Sequence, residues 1–145
     1  MGLRIRIAAL ALSATLAAAP GIAAADATDD YPIPHRMIVT ACTAEQIMAA
    51  ARDVEPVYYE RYMIDYNNHS AEVQQSTRDQ MHWFYSLTPQ QRRAYSEELV
   101  TNFADPLTVA WPNHAKLFFN NNGVAAHTTD ICTRYAPDDQ SVWTW

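Results

Sequence analysis

Cys42 and Cys132 are the only cysteines in the chain, and both lie behind a stretch that reads as an export signal. An even cysteine count in an oxidising compartment favours a disulfide, because nothing there keeps thiols reduced. One bond between them ties almost the whole exported chain into a single loop, with a sequence separation of 90. Such a loop destabilises the unfolded chain by roughly 4 to 5 kcal/mol in the chain-entropy picture, less any native strain. That is a large share of a small domain's stability. The rival reading is a redox pair, which distant cysteines without a Cys-x-x-Cys spacing rarely form.

The signal itself has three parts: Arg4 and Arg6 at a basic start, an apolar run from Ile7 to Ala19, and the small residues Ala23-Ala24-Ala25. This order predicts cleavage after Ala25 and a mature chain that is secreted or periplasmic. The apolar run is short for a bilayer span, and no later stretch is long and apolar enough to serve as one. No cysteine stands at the expected cleavage point, so no lipoprotein or other stable membrane anchor is expected. Beyond residue 25, eight basic residues face 16 acidic ones, and Lys116 is the single lysine. Nucleic acid is excluded as a partner on these grounds, since its affinity rests on clustered Lys and Arg.

The pattern along the mature chain is helical. Residues 26–42 are acidic and then proline-punctuated, at Tyr31-Pro32-Ile33-Pro34, and read as an extended lead-in with little regular structure. Thr43-Ala44-Glu45-Gln46 fits a capping box that opens a helix at Ala44 running to about Val54. Pro56 either kinks that helix or starts a second, in which Tyr58, Tyr62 and Tyr66 share one face. Ser70 can cap the next helix, with Val73, Thr77, Met81 and Phe84 on one face and an end near Ser86. Thr88-Pro89-Gln90-Gln91 is a second capping box, opening a helix to about Phe103. Asp105-Pro106 repeats the start, with Leu107, Trp111, His114, Leu117 and Phe118 at helical spacing. Asn120-Asn121-Asn122-Gly123 reads as a stop, followed by Cys132 and an irregular tail from Pro137 to Trp145. No segment alternates with period two over strand length. The expected fold is mainly α: one domain over 43–145, a compact bundle of about five helices with extended terminal segments clamped by one disulfide.

Enzyme chemistry finds little footing. No Gly-x-Ser-x-Gly elbow, phosphate-cradling glycine loop or His-Glu-x-x-His motif occurs, and the chain has three glycines in all. A spatially assembled triad stays open, because triads are defined by geometry and not by spacing. The histidines at 35, 69, 82, 114 and 127 form no i, i+3 or i+4 pair. Neither a metal nor a cofactor is expected, and His82 and His114 read as hydrogen-bonded core histidines. Glu45, Asp53, Glu55, Glu60 and Asp65 read as solvated faces and helix pairs with Arg52 and Arg61.

The aromatics supply the candidate ligand or partner contacts: Tyr58, Tyr62, Tyr66, Trp83, Trp111, Trp143 and Trp145. Core packing is the commoner fate of such a set. Trp143 and Trp145 end the chain, so they either dock back onto the bundle or meet a partner. Docking is the expectation, because Cys132 holds the root of the tail.

Several long stretches carry a resemblance that spans the mature chain. They are Tyr31-Pro32-Ile33-Pro34, the run Glu55-Pro56-Val57-Tyr58-Tyr59-Glu60-Arg61-Tyr62-Met63-Ile64-Asp65-Tyr66-Asn67-Asn68, His82-Trp83-Phe84-Tyr85-Ser86-Leu87, Lys116-Leu117-Phe118-Phe119-Asn120-Asn121 and Ser141-Val142-Trp143-Thr144-Trp145. In these the chain resembles a family of small secreted mycobacterial proteins required for exporting mycobactin-type siderophores. The resemblance implies a helical bundle of unusual topology cinched by one disulfide matching Cys42 and Cys132. It also implies work in the periplasm beside an MmpL-type exporter and its MmpS partners. The expected function is a non-enzymatic accessory to siderophore export. The alternatives are a carrier holding siderophore or lipid in an aromatic-lined cleft, and a secreted hydrolase.

Overall fold

Pro34 is the N-terminal boundary of a helix. It stays outside the helix it precedes, at φ −54° and ψ 141°, while its carbonyl accepts the N–H groups of Met37 and Ile38 at 2.9 and 3.1 Å. The computed structural model describes residues 30, 32–101 and 122–145, and in it α1 is the short helix His35–Val39. The lead-in is therefore not the unstructured segment its prolines suggested. Ile33, Met37 and Ile38 are buried in the same core as the later helices, so residues 33–42 belong to the folded domain. Tertiary burial of three apolar side chains outweighs the weak local preference.

α2 (Ala44–Val54) starts where the capping box places it: Gln46 N–H donates to Thr43 Oγ1 at 3.2 Å and Thr43 N–H donates to Gln46 Oε1 at 3.0 Å. Ala44, Glu45, Ile47, Met48, Ala49, Ala50 and Ala51 are all buried. A helix buried on nearly every side lies inside the molecule, and its alanines let neighbours approach closely. Pro56 then occupies the first turn of a new helix, α3 (Pro56–Asn67), in preference to kinking α2. Its buried side chains are Tyr59, Tyr62, Met63 and Tyr66.

α4 (Ala71–Ser86) is capped by Ser70, whose Oγ accepts Val73 N–H at 3.4 Å, and it buries Thr77, Met81, Phe84 and Tyr85. α5 (Pro89–Thr101) opens on the second capping box, Thr88 with Gln91, at 2.9 and 3.3 Å. The helix expected after Asp105-Pro106, with Trp111 and His114, lies outside the described residues, as does the export signal.

α6 (Asn122–Ile131) is a helix where a stop was expected. Val124, Ala125 and Thr128 are buried along one side of it and Cys132 continues that side, a helical spacing hidden behind the asparagine run. Two 3₁₀ turns follow, Cys132–Arg134 and Gln140–Trp143. α6, α3, α4 and both 3₁₀ turns pack on α2, while α1 packs on α5 and α6. The fold is mainly α, with no strand among the described residues. Cys42 and Cys132 are bonded, with Cα atoms 6.2 Å apart and both residues buried, and so the bridge pins the end of α6 to the entry of α2.

Candidate functional site

Glu45 sits in the first turn of α2, where a carboxylate complements the helix N-terminus. It was expected on a solvated face. Instead it is 3 % exposed, and three donors converge on its Oε1: His82 Nε2 of α4 at 2.5 Å, Trp143 Nε1 at 3.2 Å and Gln140 Nε2 at 3.3 Å. Burial raises the Glu45 carboxyl, but hydrogen bonds from His82, the backbone and Trp143 outweigh it and leave the group below its ordinary value. Trp143 fills the space beside this carboxylate, with its ring centroid 5.8 Å from that of Tyr66 and edge-on to His82 at 6.5 Å.

The tail runs to this point along α2. Gln46 Nε2 donates to Tyr135 O at 2.9 Å, Thr43 Oγ1 to Pro137 O at 2.7 Å, and Tyr59 Oη to Val142 O at 2.8 Å. Arg52 reaches Asp139 at 3.3 Å and Ser141 Oγ at 3.2 Å. Arg52 thus pairs with the tail and not with a neighbour on its own helix.

Of the other acidic residues expected on solvated faces, Asp53 and Glu60 are exposed, and Glu55 and Asp65 are half-buried. Asp53 accepts from Tyr135 Oη at 2.5 Å, Glu55 pairs with His127, and Asp65 lies 3.4 Å from His69. Among the described residues, no three His, Cys, Asp or Glu side chains converge as a metal site. No described helix is long and apolar enough to cross a membrane.

Of the candidate aromatic contacts, Tyr62 and Tyr66 are core. Tyr62 Oη points at Met81 Sδ, 3.6 Å away, and Tyr66 Oη accepts from Arg78. Burial pushes both phenols up, so they stay neutral. Tyr58 is half-buried against the core, and Trp143 is docked. Trp83 is 43 % exposed while stacking edge-on to Tyr95 at 5.0 Å, and Trp145 is 61 % exposed. Those two are the candidates that face solvent. Trp111 lies outside the described residues.

Arg92 carries no local signal that singles it out. It is 3 % exposed, and its guanidinium donates to Met37, Ile38 and Thr40 carbonyls at the end of α1 and to Phe84 and Tyr85 carbonyls at the end of α4. A cation at two helix C-termini satisfies the carbonyls that the helices leave open. Its charge centre also lies 5.3 and 5.6 Å from the Phe84 and Tyr85 ring centroids. A separate open groove of about 290 Å³ runs beside the disulfide, between Val39, Thr40 and Ala41 on one side and Thr129 and Thr133 on the other. Arg36 at its edge is paired with Asp130.

No curated protein matches the chain. A family match covers residues 28–145, and on it the chain belongs to the family described as Domain of unknown function (DUF5078).

Proposed function

We propose that the protein is a non-enzymatic periplasmic accessory to siderophore export, working by contact with an MmpL/MmpS-type exporter after removal of its signal. What supports this reading is the resemblance of long stretches between Tyr31 and Trp145 to the siderophore-export proteins. Contact is the mode we favour, because Trp83 and Trp145 present large aromatic surface on a frame whose other tail tryptophan is docked. The test is deletion of the gene followed by measurement of extracellular siderophore. The proposal expects secretion to fall and the cells to become sensitive to their own siderophore. Unchanged secretion together with unchanged tolerance sinks it.

A second reading, carriage of a small molecule, is favoured by one observation: Tyr66 of α3, His82 of α4 and the buried acceptor Glu45 of α2 together seat an aromatic ring, that of Trp143. Purified siderophore titrated against tryptophan fluorescence separates the two readings. Saturation at micromolar ligand supports carriage, and a flat response up to high micromolar concentrations argues against it.

A further inference from the structure

The C-terminal segment is held as a bound peptide is held. Three of its carbonyls, those of Tyr135, Pro137 and Val142, are captured by side chains of α3 and of the α2 region, and its aromatic anchor enters a space walled by Tyr66 and His82. Bonds to backbone carbonyls fix the path of a chain without reading its side chains, and the anchor supplies the specificity. Beyond that anchor Trp145 is 61 % exposed, so it adds little to the hold on the segment and Trp143 is the residue that seats it.

Glu45 makes the space chemically selective. Two of the three donors on its Oε1, from Trp143 and Gln140, come from the tail. Withdrawal of the tail leaves a carboxylate on a buried stretch of α2 with His82 as its remaining side-chain donor. An unmet buried acceptor is costly, so an incoming ring that brings its own N–H or O–H is favoured over one that does not. His82, with its side chain 45 % exposed, gives this space an edge on solvent.

We propose that the space bounded by Tyr66, His82 and Glu45 is a binding site for a planar aromatic group carrying an N–H or O–H donor, closed here by the chain's own Trp143 as a displaceable plug. The site deepens the carriage reading without resting on siderophore as the cargo, so a failed siderophore titration and a failed aromatic site are separate results.

Two measurements test it, both on the full-length oxidised protein. In Trp143→Ala, indole is expected to bind saturably and raise the melting temperature. Indene, which has the same shape without the N–H, is expected to bind at least ~10-fold more weakly, and adding Glu45→Leu, which removes the acceptor, should erase that difference. Equal binding of indole and indene, or no saturable indole binding by a variant that keeps its helical circular dichroism, overturns the proposal. The second measurement needs no variant: hydrogen exchange of the Trp143 indole N–H in the wild-type protein. It is expected to exchange at least ~10-fold faster than the Ile47 amide of α2, after correction for intrinsic rates. Equal protection means that Trp143 leaves only when the whole molecule unfolds, and it overturns the plug.

Discussion

Placing a carboxylate inside an alanine-rich helix costs several kcal/mol unless donors meet it, and at Glu45 three of them do. The arrangement sets a direction for pH dependence. Because the Glu45 carboxyl is held below its ordinary value in the folded state, its contribution is fully present above the ordinary carboxylate range and drains away as pH falls through the lowered value. Glu45→Gln is expected to cost about 1 to 3 kcal/mol at neutral pH. Urea unfolding of wild type and variant over a pH series checks this: the difference should stay constant near neutrality and shrink in acid. A difference that grows on acidification contradicts it. Neither Glu45 nor Arg92 could be recognised from spacing. Trp143 lies 98 residues from Glu45, and the Met37 carbonyl lies 55 residues from Arg92. A first-turn glutamate looks like any helix-end charge until the far partner is known. Glu45, Gln46, Arg52 and Asp53 share one side of α2, and that grouping made Glu45 look like part of a solvated face.

Helices announced by local chemistry appear where that chemistry places them. The Thr43 and Thr88 capping boxes and the Ser70 cap depend on residues within three positions, so they need no tertiary information. α1 and α6 follow the opposite logic. Each is made by burial against other elements, α1 through Met37 and Ile38 and α6 through Val124, Ala125 and Thr128, while prolines and asparagines nearby signal turns. The two capping threonines provide a matched comparison. Thr88→Ala should cost about 1 kcal/mol for the lost cap alone. Thr43→Ala should cost more, up to about 2 to 3 kcal/mol, because the same hydroxyl also donates to Pro137 O in the tail. Urea midpoints of the two variants decide the order, and equal costs would show that the tail bond contributes nothing.

At the scale of the whole molecule, α2 is surrounded by α3, α4, α6 and the tail, and the Cys42–Cys132 bridge ties α6 and the root of the tail to its entry. The bridge was legible in the sequence because two cysteines restrict the pairing to one choice. The wrapping of the tail around α2 was legible only as an expectation that the terminal tryptophans dock. Trp143 does dock, and Trp145 remains in solvent. Exporter contact and aromatic binding both depend on that wrapped arrangement persisting. The most direct test is urea unfolding of the oxidised protein against the same protein reduced and alkylated. A bridge closing a loop of this length predicts a loss of roughly 4 to 5 kcal/mol on reduction, with no thiol available for alkylation before it. Free thiols in the native protein, or identical midpoints with and without the bond, would contradict the account.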